Sequence, residues 1–394
     1  MAGGYDDSKG GGGSRDHGLD AARCFLMLLG VPYHAALIYT PDYHWLIDSA
    51  TENAALGLFA DFIHTFRMPA FFLISGMLTA KSLRSGGPRA VLASRAVRLL
   101  VPLAAVAISL NVFQLWVSTL AADPGLSAKE FFTDVLPPAV ARGELVMHLW
   151  FLIELFACVL LVCAAHAVGG GFGWLARLPI NGWAVNGRTI PALLCVLMVG
   201  VLGLDNLSPW LVEKVPPTTT SAATLAVSFS YFAVGILIAQ VPGGTRRFAS
   251  TRWTVALAFV LCFLTHQALA AIDKPMALRL FDQALGAVLA WTAFRLVLGM
   301  AQAWFSGASA VVRALSQASY TVYLLHHAVV VGVGFLFLAL PWRPAVEFAA
   351  ITVLGLAIPF LIHHAAVEKS PVLRFLLNGV PLRAARVRVQ PATS

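Results

Sequence analysis

Charge is scarce in this chain: Asp, Glu, Lys and Arg make up only 12% of its 394 residues, while 59% are hydrophobic. A soluble domain carries about 25% charged residues, so soluble folding would leave long apolar stretches with nothing to pack against. A polytopic membrane protein is the class that remains. An apolar signal core is also lacking near the start. Residues 1–18 are polar and glycine-rich and read as a disordered lead-in. Ala2 stands where a myristoylation signal needs glycine. The first apolar helix is therefore expected to direct insertion itself. Cysteines are few, and Cys24, Cys158, Cys163, Cys195 and Cys262 all lie in apolar segments. None has metal-ligand spacing, so they read as free buried thiols.

What is present is a series of apolar stretches, each near the ~20 residues that cross hydrocarbon as a helix. They fall at roughly 19–40, 54–80, 99–120, 145–168, 189–204, 219–240, 253–272, 277–299, 315–340 and 344–366. The expected fold is an all-α transmembrane bundle of about ten spanning helices filling residues 19–366. A basic tail follows over 367–394. With both termini cytoplasmic, the inner segments hold Lys81, Arg84, Arg89, Arg95, Arg98, Arg177, Arg188, Arg246, Arg247, Arg252 and Arg313, and the tail adds more. The outer loops are mixed with Asp42, Asp48, Glu52, Asp123, Glu130 and Asp134. This is the positive-inside pattern. The formal charge of +8 thus reports topology and anionic lipid contact, and no nucleic-acid partner is expected.

A charged side chain inside the membrane costs about 2.5–3.5 kcal/mol on insertion scales, so each one needs a partner or a wet cavity. Helix 1 carries Arg23 and His34 in LDAARCFLMLLGVPYH. Eleven residues at about 100° each put both within ~20° on one face, separated by ~16 Å of rise. Pro32 loosens the ladder just before His34. A satisfied core histidine and a headgroup-anchoring arginine are the alternative, and helix 1 alone does not separate the two. Helix 2 reads ADFIHTFRMPAFFLISG, with Asp61, His64 and Arg67 three apart. Asp61 is placed to orient His34, or else the set only fixes helix packing. Ser75 precedes a glycine, which permits close approach of a ligand or helix, but no G-x-S-x-G context makes it a nucleophile.

Helix 4 opens HLWFLIEL. His148 and Trp150 sit near the outer interface, where tryptophan is commonly an anchor. Glu154 sits near the middle, where a binding role is the default. Helix 9 contains SQASYTVYLLHH, whose Ser316, Ser319, Tyr320, Tyr323, His326 and His327 can line one wet face. A metal site built from His326, His327, His363 and His364 is disfavoured, because adjacent histidines diverge by about 100°. No metal is expected. Helix 8 adds Arg279, Asp282, Gln283 and Arg295, read as an ion-paired structural set.

These stretches resemble the acyltransferase-3 family of integral membrane acyltransferases, and the match is densest in LDAARCFLMLLGVPYHAALIY, FADFIHTFRMPAFFLISG, RAVRLLVP, HLWFL and SYTVYLLHH. The Arg23–His34 pair matches the family's activity signature. The resemblance is narrower still to the members that succinylate osmoregulated periplasmic glucans. It implies a bacterial inner-membrane enzyme with no bound cofactor. The implied co-substrate is a cytoplasmic acyl-CoA, succinyl-CoA for the nearest members, and the acceptor a periplasmic glucan hydroxyl. Membrane lipid, glucan-synthesis machinery and a second copy of the chain are the other expected partners. Acetyl transfer to another envelope glycan is the neighbouring alternative.

In this layout Arg23, Arg95 and Arg98 meet the CoA phosphates. Arg67, Ser75, Tyr320, Tyr323 and His326 belong to the donor path, and Arg67 faces the oxyanion or a succinyl carboxylate. His34, oriented by Asp61, is the general base, with an unperturbed pKa of about 6.5 suited to the task. An acyl-histidine intermediate is the mechanistic rival. His64, His148, Trp150 and Glu154 line the acceptor side. A transporter is the rival of another class, but no inverted repeat is visible in the sequence. A scaffold would leave the burial of Arg23, His34 and Glu154 unexplained.

Overall fold

The computed structural model describes residues 16–169, 188–207, 213, 220–305 and 310–382. The lead-in over 1–15, Arg177 and the basic residues after 382 lie outside the described residues. Within them the chain is all-α, with no strand. Its principal helices are α1 (His17–Leu28), α2 (Gly30–Leu37), α3 (Ala54–Ala107), α4 (Leu110–Ala122), α5 (Trp150–Val168) and α6 (Thr189–Leu207). They continue as α7 (Ala222–Gln240), α8 (Trp253–Ala270), α9 (Met276–Phe305), α10 (Ala310–Phe337), α11 (Pro344–Ile362) and α12 (Pro371–Asn378).

Seven helices among the described residues are long and apolar enough to cross a membrane. The difference from ten expected stretches has local causes. α3 and α4 run together over Ala54–Ala122 and hold two of those stretches. The first stretch is divided between α1 and α2, and the fifth lies in α6, whose apolar part Thr189–Gly203 is short.

Each break has a residue behind it. α1 starts at His17, two residues earlier than the sequence pattern indicates, because the Asp16 carboxylate accepts from the Leu19 N–H. It ends at Leu29, and Pro32 has no N–H to offer the Leu28 carbonyl. The α3 run bends at Gly87, whose φ of 73° and ψ of 169° are open to glycine, with Pro88 following. α7 opens on a reciprocal Ser221–Thr224 capping box.

Small residues set the closest helix contacts. A Cβ on Gly76 would overlap the Phe232 carbonyl, and one on Gly235 would overlap the Leu73 carbonyl, so α3 and α7 cross backbone to backbone. Around that crossing α1, α5 and α9 add Leu26, Phe151, Trp291 and Phe294 to one apolar core. α10 joins this core through Leu324 and joins α2 and α11 in a second, around Val31, Ile38, Val330 and Ile351.

α9 does not carry the expected mutual ion-pair set. Asp282 pairs with Lys274 (2.6 Å) and His266 (2.6 Å). Arg279 donates to the Lys274 carbonyl and Arg295 to the Phe248 carbonyl. The turns before and after α8 supply the Phe248 and Lys274 carbonyls, so the arginines are held by main-chain oxygens. Overpacking costs typically about 1–3 kcal/mol, so Gly235→Ala is expected to lower the thermal midpoint in detergent by several degrees. Gly286→Ala, where a Cβ meets nothing within 4 Å, should not lower it.

Candidate functional site

The break between α1 and α2 is where the candidate functional side chains gather. Gly30 sits at the break, and a Cβ there would lie 2.6 Å from Arg67 Nη1 and 3.4 Å from His326 Nε2. The missing side chain lets α3 and α10 bring those two groups together. One turn on, the buried His34 ring lies 4.6 Å from the His327 ring and 5.4 Å from the His326 ring, centroid to centroid. Trp45, from the loop after α2, stacks on His34 at 5.6 Å. His148 stacks on His327 at 4.2 Å and is tied to α10 through its carbonyl, which accepts from the Tyr323 hydroxyl at 2.8 Å. Met147, just before it, has φ 41° and ψ −126°, a strained turn that aims the chain into α5.

Arg67 packs its guanidinium over the Tyr33 ring at 4.7 Å. It is also an electrostatic neighbour of all four imidazoles of His34, His148, His326 and His327. Among the described residues no carboxylate forms an ion pair with it. His326 Nδ1 faces the carbonyls of Tyr323 (2.7 Å) and Val322 (3.1 Å), which only accept, so Nδ1 carries the hydrogen and Nε2 keeps a lone pair. That Nε2 and His34 Nδ1 are buried without a hydrogen-bond partner.

A second polar group lies toward the start of α10. Arg23 and Arg98 are charged neighbours of Arg95, and the neutral Tyr320 lies beside them. The Tyr320 hydroxyl donates to the Arg98 carbonyl at 2.8 Å. Tyr320, Tyr323 and His326, three residues apart on α10, form a ring file with spacings of 6.3 Å and 6.0 Å. The file connects the arginines to the imidazoles. Arg23 and His34 thus occupy the two ends of one site, consistent with ~16 Å of helix between them.

Several expected positions fall elsewhere. Asp61 is exposed and does not meet His34, whose electrostatic neighbours are His327, His326, Arg67 and His148. The reason is angular: with Arg67 turned into the site, Asp61 lies about 120° away around α3. His64 stays at the rim, with its Nδ1 3.3 Å from the Tyr33 hydroxyl. Ser75 is buried beside the Gly76 crossing, and Trp150 packs on the main core. Glu154 is buried facing α7, where the Ser228 hydroxyl donates to it.

The four-histidine metal combination weighed in the sequence is not assembled. His363 bonds Thr321 (2.8 Å), and a π-helical turn over His363–Val367 brings His363 and His364 onto Glu368. The hydrogen bond with His364 holds the exposed Glu368 carboxyl below its ordinary value. An apolar recess of about 430 Å³ between α4 and α10, lined by Phe113, Trp116, Leu120 and Gly332, lies outside the imidazole cluster.

Trp45, Tyr33, Asn111 and Gln114 lie with this cluster but were not singled out by sequence, whereas His327 was read as lining one wet face of its helix. Asn111 and Gln114 did carry a signal, as amides within an apolar stretch. Trp45 carried none, because its loop looks like any polar connection. Since Trp45 covers one face of His34, Trp45→Ala is expected to speed carbethoxylation of His34 by diethylpyrocarbonate several-fold, read by peptide mass spectrometry. An unchanged rate would remove Trp45 from its place as a cover.

The family model described as "Acyltransferase domain" matches residues 16–364. Proteins named "Glucans biosynthesis protein C" from Salmonella paratyphi B, Salmonella heidelberg and Salmonella agona are 35% identical to this chain over 146 residues. That match covers 36% of this chain and 36% of each relative, about a third of their length. No solved structure matches. With a family match across nearly the whole bundle and several helices long and apolar enough to span a membrane, the chain belongs to the acyltransferase-3 family and is a multi-pass membrane protein.

Proposed function

We propose that this protein transfers an acyl group, succinyl in the first instance, from a cytoplasmic acyl-CoA to a hydroxyl of a periplasmic glucan. The reaction takes place at the bacterial inner membrane. The observation that carries this reading is Arg67. Its guanidinium is held over Tyr33 beside Gly30, has no carboxylate partner among the described residues, and stands among four imidazoles. A cation so placed needs an anion. A thioester oxyanion, or the free carboxylate of a succinyl group, supplies one.

In the proposed reaction, neutral His34 takes the proton from the sugar hydroxyl as its oxygen attacks the thioester carbonyl. The new C–O bond forms, the C–S bond breaks, and the proton passes from His34 to the departing thiolate. Arg67 neutralises the oxyanion while the former carbonyl carbon is tetrahedral. Arg23, Arg95 and Arg98 hold the phosphates of the donor at the other end of the tyrosine file. Tyr320 and Tyr323 flank the pantetheine arm between them. The name of the Salmonella relatives supports a glucan as acceptor, and the positive-inside pattern supports the arginine end as cytoplasmic.

The test is the full chain in proteoliposomes with labelled succinyl-CoA or acetyl-CoA and a glucan, and mass analysis of the product. Succinylated glucan is expected. Acetylation alone would replace the donor, and no acyl product with either donor would overturn the reading in favour of transport. General-base catalysis is worth about 10²–10⁴-fold, so His34→Ala should lower kcat by that order. Full activity in His34→Ala would remove the histidine from the chemistry.

A further inference from the structure

The reading above uses His34 as the base, but the ring nearest to it is His327, at 4.6 Å. His327 is buried on α10 and is held from the outer side by a chain of amides on α4. The direction of that chain is fixed from its far end. The Leu145 carbonyl can only accept, so the group that Asn111 turns toward it, at 2.6 Å, is its Nδ2 amide. Asn111 Oδ1 is then left to accept from Gln114 Nε2, at 2.7 Å. Gln114 in turn has only its Oε1 left for the His327 Nδ1 it contacts. An acceptor oxygen there requires a hydrogen on Nδ1. The neutral ring must therefore keep its lone pair on Nε2.

All three side chains in this chain are buried, with Asn111 and Gln114 wholly so. Water cannot replace a lost link, and a reversed amide would put two donors face to face. Asn111 and Gln114 are three residues apart on α4, which places both on its inner face.

We propose that Asn111 and Gln114 are positioning residues for acyl transfer, which hold His327 in the Nδ1–H tautomer so that its Nε2 lone pair serves the imidazole cluster. The role follows from the charge that His34 gains. When His34 takes the hydroxyl proton it becomes an imidazolium with an N–H to donate, and a neighbouring Nε2 lone pair stabilises it where an N–H would repel it. No bond in His327 breaks; the proton returns from His34 to the thiolate. The role rests on the acyltransfer reading, whereas the tautomer assignment does not.

The experiment uses the full chain in lipid bilayers, labelled with ¹⁵N-histidine, with the His327 signal assigned by its loss in His327→Ala. Wild type should show a protonated Nδ1 and a bare Nε2. In Asn111→Leu the Gln114 amide is free to turn over and present its NH₂, which should move the hydrogen of His327 to Nε2. That variant should lose about tenfold or more in kcat with little change in KM. Gln114→Leu should lose as much.

The decisive variant is the Asn111→Leu/Gln114→Glu double. Its carboxylate cannot turn over into a donor, so it should recover both the wild-type tautomer and most of kcat. A hydrogen on Nε2 in wild type, or a double variant no better than Asn111→Leu, would overturn the proposal. Absence of any acyl transfer by wild type would defeat the acyltransfer reading and this role with it, leaving the spectrum to decide the tautomer alone.

Discussion

A polar group carried into hydrocarbon has no water to answer it, and the rest of this bundle is arranged around that constraint. Arg67 meets it with an aromatic face and with the gap left by Gly30. The amides of α4 meet it by pairing in one direction, ending on a main-chain oxygen. Glu154 meets it with a hydroxyl from the neighbouring helix. Arginines of α9 and α3 use carbonyl oxygens, as in Arg295 to Phe248 and Arg84 to Ala239. Against that background, the ring nitrogens of His34 and His326 that lack partners stand out. In the proposed reaction their partners are the atoms of a substrate.

The same constraint explains why the first helix is broken where it is. A proline inside a membrane helix frees a carbonyl and opens the ladder. Here the interruption lies between Leu28 and Gly30, and the residue at the gap is the one with no side chain. Local backbone irregularity and lack of bulk together admit Arg67 and His326 to the axis of helix 1. Close helix contact elsewhere uses the same means, with Gly76 and Gly235 letting α3 and α7 meet main chain to main chain. Rigid contact behind the site and open geometry within it are compatible because different glycines serve each.

The fold class was open to inspection in the sequence because hydrocarbon selects on composition, and long apolar runs with few charges have one outcome. So were Arg23 and His34, as titratable groups on one face of an apolar helix. Asp61 shows the limit. A three-residue spacing correctly put Asp61, His64 and Arg67 on neighbouring faces of one helix, but it did not tell which of them turns inward. Packing of α3 against α2, where the Arg67 guanidinium covers the Tyr33 ring, selected Arg67, and Asp61 followed to the outside. Trp45 shows a different limit, since a loop residue reaches its partner through a path that no periodicity encodes.

By itself, then, the sequence determined that the chain is a helical membrane bundle, and it singled out a few polar residues in helices 1, 2, 4 and 9 as candidates for its chemistry. These are consequences of solvent transfer and of helical repeat, which act residue by residue. Only the tertiary structure decided which of those residues share a site. It joined His34, Arg67, His148, His326 and His327, set Glu154 and Ser75 apart, and added Asn111 and Gln114 from a helix not singled out for function. Such choices depend on how helices rotate against one another. That rotation is set by glycine contacts, a proline break and the pairing of buried dipoles, each of which joins residues far apart in the chain.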